Sequence, residues 1–185
     1  MAEPEIRRMS VGEFLAWEPG DGLRYELVDG QPRAMGGARA KHARIVINAI
    51  MALRARLTGG PCEPFTDDLA VLTPKGNLRR PDVTVDCGDP DPEKQVADRP
   101  VLVIEVLSDS TRKLDTQFKV IEYKALPTLR AILLLDPDDY AALLYARETG
   151  GSDWREIALI GPDTVVPLAS LDLSFPLATF YADVL

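Results

Sequence analysis

Pro100-Val101-Leu102-Val103-Ile104-Glu105-Val106-Leu107 is an apolar run, rich in β-branched residues, interrupted by one carboxylate. Such a run predicts a strand buried on both faces, as in a parallel or mixed sheet. An ionised carboxylate in that position is costly unless a cation or hydrogen-bond donor compensates it, so Glu105 requires a partner. Upstream, Arg79-Arg80-Pro81-Asp82-Val83-Thr84-Val85 sets a second acidic residue at the head of a second β-rich run. Two carboxylates offered by neighbouring strands, with a lysine in reach, suit a hard divalent cation and a phosphodiester.

Working outward, alternation places Glu105 on one strand face with Val103 and Leu107, and Leu102, Ile104 and Val106 on the other. A helix is expected from about Thr111 to Ala125, followed by the apolar strand Ala131 to Leu135, which Asp136-Pro137 closes. Strand, helix, strand is a crossover unit and forces at least one parallel pair. In that helix Asp115, Lys119 and Tyr123 recur every fourth residue and project from one side. Leu114, Phe118, Ile121 and Ala125 are expected to form the buried stripe, with Lys119 bordering it and Tyr123 near. The competing reading is an ordinary Asp-Lys pair on a solvated face.

The rest of the chain fits a mixed architecture. Ser10 and Glu13 form a capping box for a short helix through Trp17. Leu23 to Val28 and Gln31 to Met35 form a hairpin about Asp29-Gly30, a dipeptide that favours the turn matched to strand twist. Between Ala38 and Leu57, His42, Val46, Ala49 and Leu53 share the helix face that meets the core. Phe65 to Leu72 and Asp82 to Cys87 read as strands joined around Pro74-Lys75-Gly76-Asn77, and Tyr140 to Arg147 with Trp154 to Ile160 as a further hairpin. The tail carries Leu168, Leu171, Leu173, Phe175 and Phe180, apolar enough to pack on the domain or on a second subunit.

A length of 185 residues, 46% of them hydrophobic, predicts one soluble domain spanning residues 1–185. No run approaches transmembrane length and the N-terminus has no signal-peptide pattern, so a cytoplasmic protein without membrane contact is expected. Cys62 and Cys87 have no metal-ligand spacing and read as free thiols in a reducing compartment. His42 is the only histidine, which excludes a multi-histidine zinc site. The formal net charge of -8 argues against nonspecific coating of nucleic acid, but not against a nuclease. Lys75, Arg79 and Arg80 form a local basic patch that can face a ligand or simply keep a loop solvated.

These residues carry a family resemblance over nearly the whole chain. Pro81-Asp82 followed by Glu105-Val106-Leu107-Ser108 resembles the core of the PD-(D/E)XK nuclease superfamily. The wider set resembles its Uma-type endonuclease branch: Tyr25-Glu26-Leu27-Val28-Asp29-Gly30, His42 opening a long helix, Ser110-Thr111, Asp115, Lys119, Tyr123 and Leu135-Asp136-Pro137. The resemblance implies an α/β (α+β) restriction-endonuclease-like core, a central mixed β-sheet flanked by helices. Three positions depart from the pattern. Leu107 stands where the superfamily lysine lies, Asp109 stands where proline is common, and Leu129 to Leu135 is less aromatic than usual.

What the resemblance implies is a metal-dependent endonuclease acting on DNA, with a homodimer as its assembly. Asp82, Glu105 and the Val106 carbonyl would hold Mg²⁺ or Mn²⁺. Lys119, supplied by the helix, would orient water or stabilise transition-state charge. Glu26 would be an outer ligand through water, or else an exposed strand carboxylate. His42 would contact phosphate or donate from behind the ligands, or else be a core-facing histidine with a backbone partner. Lys119→Ala is expected to spare thermal stability. The alternative function is a noncatalytic nucleic-acid- or protein-binding domain that retains the nuclease fold.

Overall fold

The computed structural model describes residues 8–107, 115–148 and 151–185. Ser108, Asp109, Ser110, Thr111 and Leu114, which enter the reading above, lie outside that set, as does the Asp115 side chain. In chain order the first elements are α1 (Val11–Leu15), β1 (Tyr25–Val28), β2 (Gln31–Ala34), α2 (Ala40–Leu57), β3 (Glu63–Thr66), β4 (Val71–Leu72) and β5 (Leu78–Arg79). There follow β6 (Val83–Asp86), β7 (Pro100–Val106), α3 (Asp115–Lys124), β8 (Ala131–Leu135), β9 (Ala141–Ala146), β10 (Arg155–Ile160), β11 (Val165–Leu168) and β12 (Leu173–Pro176).

The central sheet runs β10-β9-β8-β7-β6-β3. β7 and β8 are parallel, joined by the α3 crossover, and the other pairs are antiparallel. The strands carrying Asp82 and Glu105 are therefore neighbours in one mixed sheet. A second sheet, β2-β1-β5-β4, stands beside it. Its β1–β2 turn holds Asp29 and Gly30 at positive φ, as a primed turn requires.

Strand alternation divides the core. Leu102, Ile104 and Val106 point to the α2 side and pack with Ile45, Ala49 and Leu53. Val103 points to the α3 side with Val120, Tyr123, Ile132 and Leu134. The β11–β12 hairpin and the 3₁₀ turn Leu177–Tyr181 close the α2 face, where Asn48 donates to the Phe180 and Ala182 carbonyls at 3.1 and 2.9 Å. The tail thus packs on its own chain. No helix among the described residues is long and apolar enough to cross a membrane.

Three expectations are corrected. Phe118 and Ile121 are not the buried stripe of α3: each is 58% exposed, whereas Val120 and Tyr123 are buried. The helix is rolled so that its polar Lys119–Tyr123 line covers Glu105, and satisfying that carboxylate outweighs burying two apolar side chains. Phe65 to Leu72 is not one strand either. It breaks at Asp67-Asp68, whose carbonyls accept from the Arg80 guanidinium at 2.9 Å, and its halves enter different sheets. Residues 74–77 then turn β4 into β5.

Cys62 and Cys87 are not free thiols but a disulfide. β3 pairs antiparallel with β6, Glu63 opposite Asp86, so one further residue sets the two cysteines face to face with Cα atoms 4.0 Å apart. A sequence separation of 25 does not disclose that register. The argument for a reducing compartment falls with it. Closing a loop of this length stabilises the fold by about 3.5 kcal/mol. Urea unfolding with and without reductant should therefore differ by that amount, and the unreduced protein should react with no thiol reagent until denatured and reduced.

Candidate active site

Asp82 stands immediately before β6, whose register pairs Val83 with Ile104. One more step sets Asp82 opposite Glu105, and opposed residues of an antiparallel pair present their side chains to the same face. The two carboxylates are nevertheless held by different helices. Asp82 Oδ2 accepts the Val106 N–H at 2.7 Å and lies 3.2 Å from His42 Nε2, on the first turn of α2. Glu105 Oε1 accepts the Tyr123 hydroxyl at 2.8 Å and lies 3.5 Å from Lys119 Nζ, both on α3.

Lys119 approaches Glu26 more closely than Glu105. Its ammonium is 2.9 Å from Glu26 Oε1, which also accepts the Arg80 N–H at 3.0 Å. Glu26 Oε2 accepts from Arg79 Nη1 at 3.0 Å. The Arg79 guanidinium in turn donates from Nε to Glu122 Oε2 at 2.8 Å and from Nη2 to Oε1 at 3.2 Å, and Asn77 donates to Glu122 Oε1 at 2.8 Å. Behind the two carboxylates, then, lies a buried polar ring that passes from α3 to β1, to β5 and back to α3 one turn later.

The electrostatics follow from these contacts. Burial pushes the Glu105 carboxyl up to about 7; Lys119 opposes that rise and the Asp82 and Glu26 charges reinforce it. Burial also acts to raise Glu26, but Lys119, the Arg80 N–H and Arg79 outweigh it and hold Glu26 below the usual carboxylate range. His42 is raised, chiefly by its bond to Asp82, against burial and with help from Glu105 and the Val106 backbone. Burial, then the Glu105 charge, keep Tyr123 well above the usual phenol range, so it donates as a neutral hydroxyl.

The residues singled out in the sequence thus converge, with qualifications. They form two contact groups, His42 with Asp82 and Lys119 with Glu105 and Glu26, and strand β7 bridges them, its Val106 N–H donating to Asp82 one residue beyond Glu105. Glu26 is not an exposed carboxylate; it is buried and occupied by three donors. Arg79 and Arg80 do not face a ligand, because burial and their carboxylate and carbonyl partners make them internal. Glu122 and Asn77 were not anticipated at all. Glu122 sits three residues after Lys119, and that spacing was the available signal.

Two spaces adjoin the carboxylates. A cleft of about 580 Å³ is lined by Gly36, Gly37, Arg39, Lys41, His42 and Asp82, among others, with Lys41 paired to Asp138. A cavity of about 30 Å³ lies among Glu105, Lys119, Tyr123 and Leu134. Leu107 borders both. Among the described residues no three His, Cys, Asp or Glu side chains form a cluster able to hold a metal alone. Two carboxylates and a backbone carbonyl nevertheless suit Mg²⁺, which keeps several waters.

A mixed sheet bearing these carboxylates between two helices defines a restriction-endonuclease-like fold. The chain belongs to the Uma2 family, described as "Putative restriction endonuclease", which it matches over residues 11–178. It is similar to two uncharacterized proteins of Synechocystis sp. (strain ATCC 27184 / PCC 6803 / Kazusa). Identity to slr1290 is 34% over 94% of this chain and 92% of the relative. Identity to sll1609 is 26% over 90% and 93%. A crystal structure described as "a putative nuclease belonging to DUF820" from Anabaena variabilis ATCC 29413 superposes with a TM-score of 0.73 at 18% identity, over 96% of this chain and 99% of that one.

The sign of the Glu105 shift yields a stability prediction. Its folded value, about 7, exceeds its ordinary 4.5, so the folded state holds a proton that the unfolded chain releases. Its contribution is present below pH 4.5 and is lost as pH rises towards 7. Glu105→Gln retains an acceptor for Tyr123 and removes the titration. Without divalent metal, the melting temperature of the wild type relative to Glu105→Gln should fall between those two pH values.

Proposed function

We propose that this protein is a metal-dependent endonuclease that hydrolyses phosphodiester bonds in DNA. The observation that carries the reading is the placement of Asp82, at the head of β6, opposite Glu105 on the adjacent strand with the Lys119 ammonium beside Glu105, in a member of a family described as "Putative restriction endonuclease". Asp82, Glu105 and the Val106 carbonyl would hold Mg²⁺ or Mn²⁺. Bound there, the cation would screen phosphate charge and acidify water.

The chain's own residues account for the remaining work. His42 and the Val106 N–H fix Asp82 from the α2 side, and Tyr123 fixes Glu105 from the α3 side, so neither carboxylate must reorganise to bind a cation. Lys119 supplies a compact positive charge beside the site of attack, where negative charge gathers on the phosphoryl oxygens in the transition state. Arg39, Lys41 and His42 line the cleft that opens at Asp82 and would meet the sugar-phosphate backbone there. Since one site cuts one strand, duplex cleavage calls for a homodimer or for two successive events.

Plasmid nicking in Mg²⁺ or Mn²⁺, abolished by chelation and by Glu105→Ala or Asp82→Ala, is the expected result. Wild type inactive on duplex, single-stranded DNA and RNA with either metal would overturn the reading. Metal at a hundred times its Kd should stabilise the wild type by about 2.7 kcal/mol and Glu105→Gln far less, measured by thermal melting.

Lys119→Ala should abolish nicking, but not at unchanged stability. The side chain lies between two buried carboxylates, 2.9 Å from one and 3.5 Å from the other. Without the ammonium, Glu105 keeps only the neutral Tyr123 hydroxyl and Glu26 keeps Arg79 and the Arg80 N–H, so the loss should cost about 3 kcal/mol, read by urea unfolding.

A further inference from the structure

We infer that Arg79 and Glu122 are positioning residues that aim the Lys119 ammonium through Glu26; this rests on the nuclease reading above. The argument begins with Leu107. A lysine there would share the strand and the face of Glu105, so the backbone itself would fix its approach. Lys119 instead arrives on a helix, at the end of a long side chain with many rotamers. Something outside the helix must select one.

Glu26 is the group in place to do so. Its contact with the ammonium, 2.9 Å, is closer than the 3.5 Å contact with Glu105. Glu26 is itself not free to choose its position, because the Arg80 N–H takes Oε1 and Arg79 takes Oε2. Arg79 is 2% exposed and Glu122 6%, and the guanidinium meets the Glu122 carboxylate through two nitrogens. Planar two-point pairing fixes direction as well as distance.

Closure of the ring makes this more than stability. Lys119 and Glu122 are three apart on α3 and project from the same side. Glu122 ties that helix to Arg79 on β5 and to Asn77 in the turn before it, while Lys119 meets Glu26 on β1. Rotation or sliding of α3 would break both connections together. The second sheet thus sets where along the Glu105 carboxylate the lysine comes to rest. Neither Arg79 nor Glu122 lines the cleft or the cavity at Glu105, so their effect must pass through Glu26 and Lys119.

The test uses the full-length protein and two readouts. Glu122→Gln should lower kcat for plasmid nicking in Mg²⁺ by about tenfold to a hundredfold with KM for DNA held within about twofold. The lysine ammonium ¹⁵N resonance assigned to Lys119 by its loss in Lys119→Arg should shift, and its protons should exchange faster with water. Glu122→Asp, which keeps the charge but withdraws it by one methylene, should give an intermediate value of each, and it serves alone if Glu122→Gln does not fold. A lowered melting temperature with unchanged kcat and unchanged Lys119 resonance would overturn the inference and leave Glu122 a stabilising residue only. If the wild type cleaves nothing, the nuclease reading fails. The ammonium signal, which needs no turnover, then still decides whether Glu122 positions Lys119.

Discussion

A carboxylate fixed on the covered face of a central strand is the constraint from which the rest of the architecture follows. Glu105 cannot leave β7, because its neighbours Ile104 and Val106 are committed to the opposite core. It must be satisfied where it stands, and α3 supplies the hydroxyl and the ammonium that do so. That requirement sets the roll of the helix. Turning Tyr123 and Lys119 inward turns Phe118 and Ile121 outward, against what their hydrophobicity alone would choose. The Lys119 charge then recruits Glu26, and Glu26 ties the smaller sheet to the central one.

Moving the lysine from strand to helix changes what surrounds the site. Leu107 occupies the strand position, where it forms an apolar wall common to the open cleft and the small cavity. An apolar wall lowers the local polarisability and strengthens the field that Lys119 exerts on anything between them. It also gives no hydrogen-bond partner that could draw the ammonium away from the carboxylates. The cost is a dependence on distant groups, since a helical lysine is aimed only as well as its helix is anchored.

Much of this could be read in the sequence where a short-range pattern carries the information. The β7 run, its alternation, the crossover to β8 and the Asp29-Gly30 hairpin are local signals, and each element stands where the pattern put it. Asp82 and Glu105 could be named because a charge in or beside an apolar run requires a partner, and Lys119 because its helical spacing and the family resemblance both point to it. The failures lie where register or roll decides. Cys62 and Cys87 meet only because β3 pairs with β6 in one particular register. The buried face of α3 departs from its hydrophobic stripe because the need of a buried carboxylate takes precedence over burying Phe118 and Ile121. Nothing local in the sequence marks Glu122, Asn77 or Arg79 as internal; long-range pairing of α3 with β5 and the turn before it makes them so.

The two carboxylates divide control of one site between the two faces of the sheet. Asp82 is held from the α2 side by His42 and by the Val106 N–H of the strand itself, and Glu105 from the α3 side by Tyr123 and Lys119. A displacement of either helix therefore disturbs one carboxylate and spares the other. On the proposed reading a cation would need both, so the site would be competent only when both helices are seated on the sheet at once. The ring through Glu26, Arg79 and Glu122 seats α3, and the Asn48 contacts with the C-terminal segment seat α2. Elements remote from the two carboxylates thereby act on the site through geometry alone, because each fixes the helix on which one carboxylate depends.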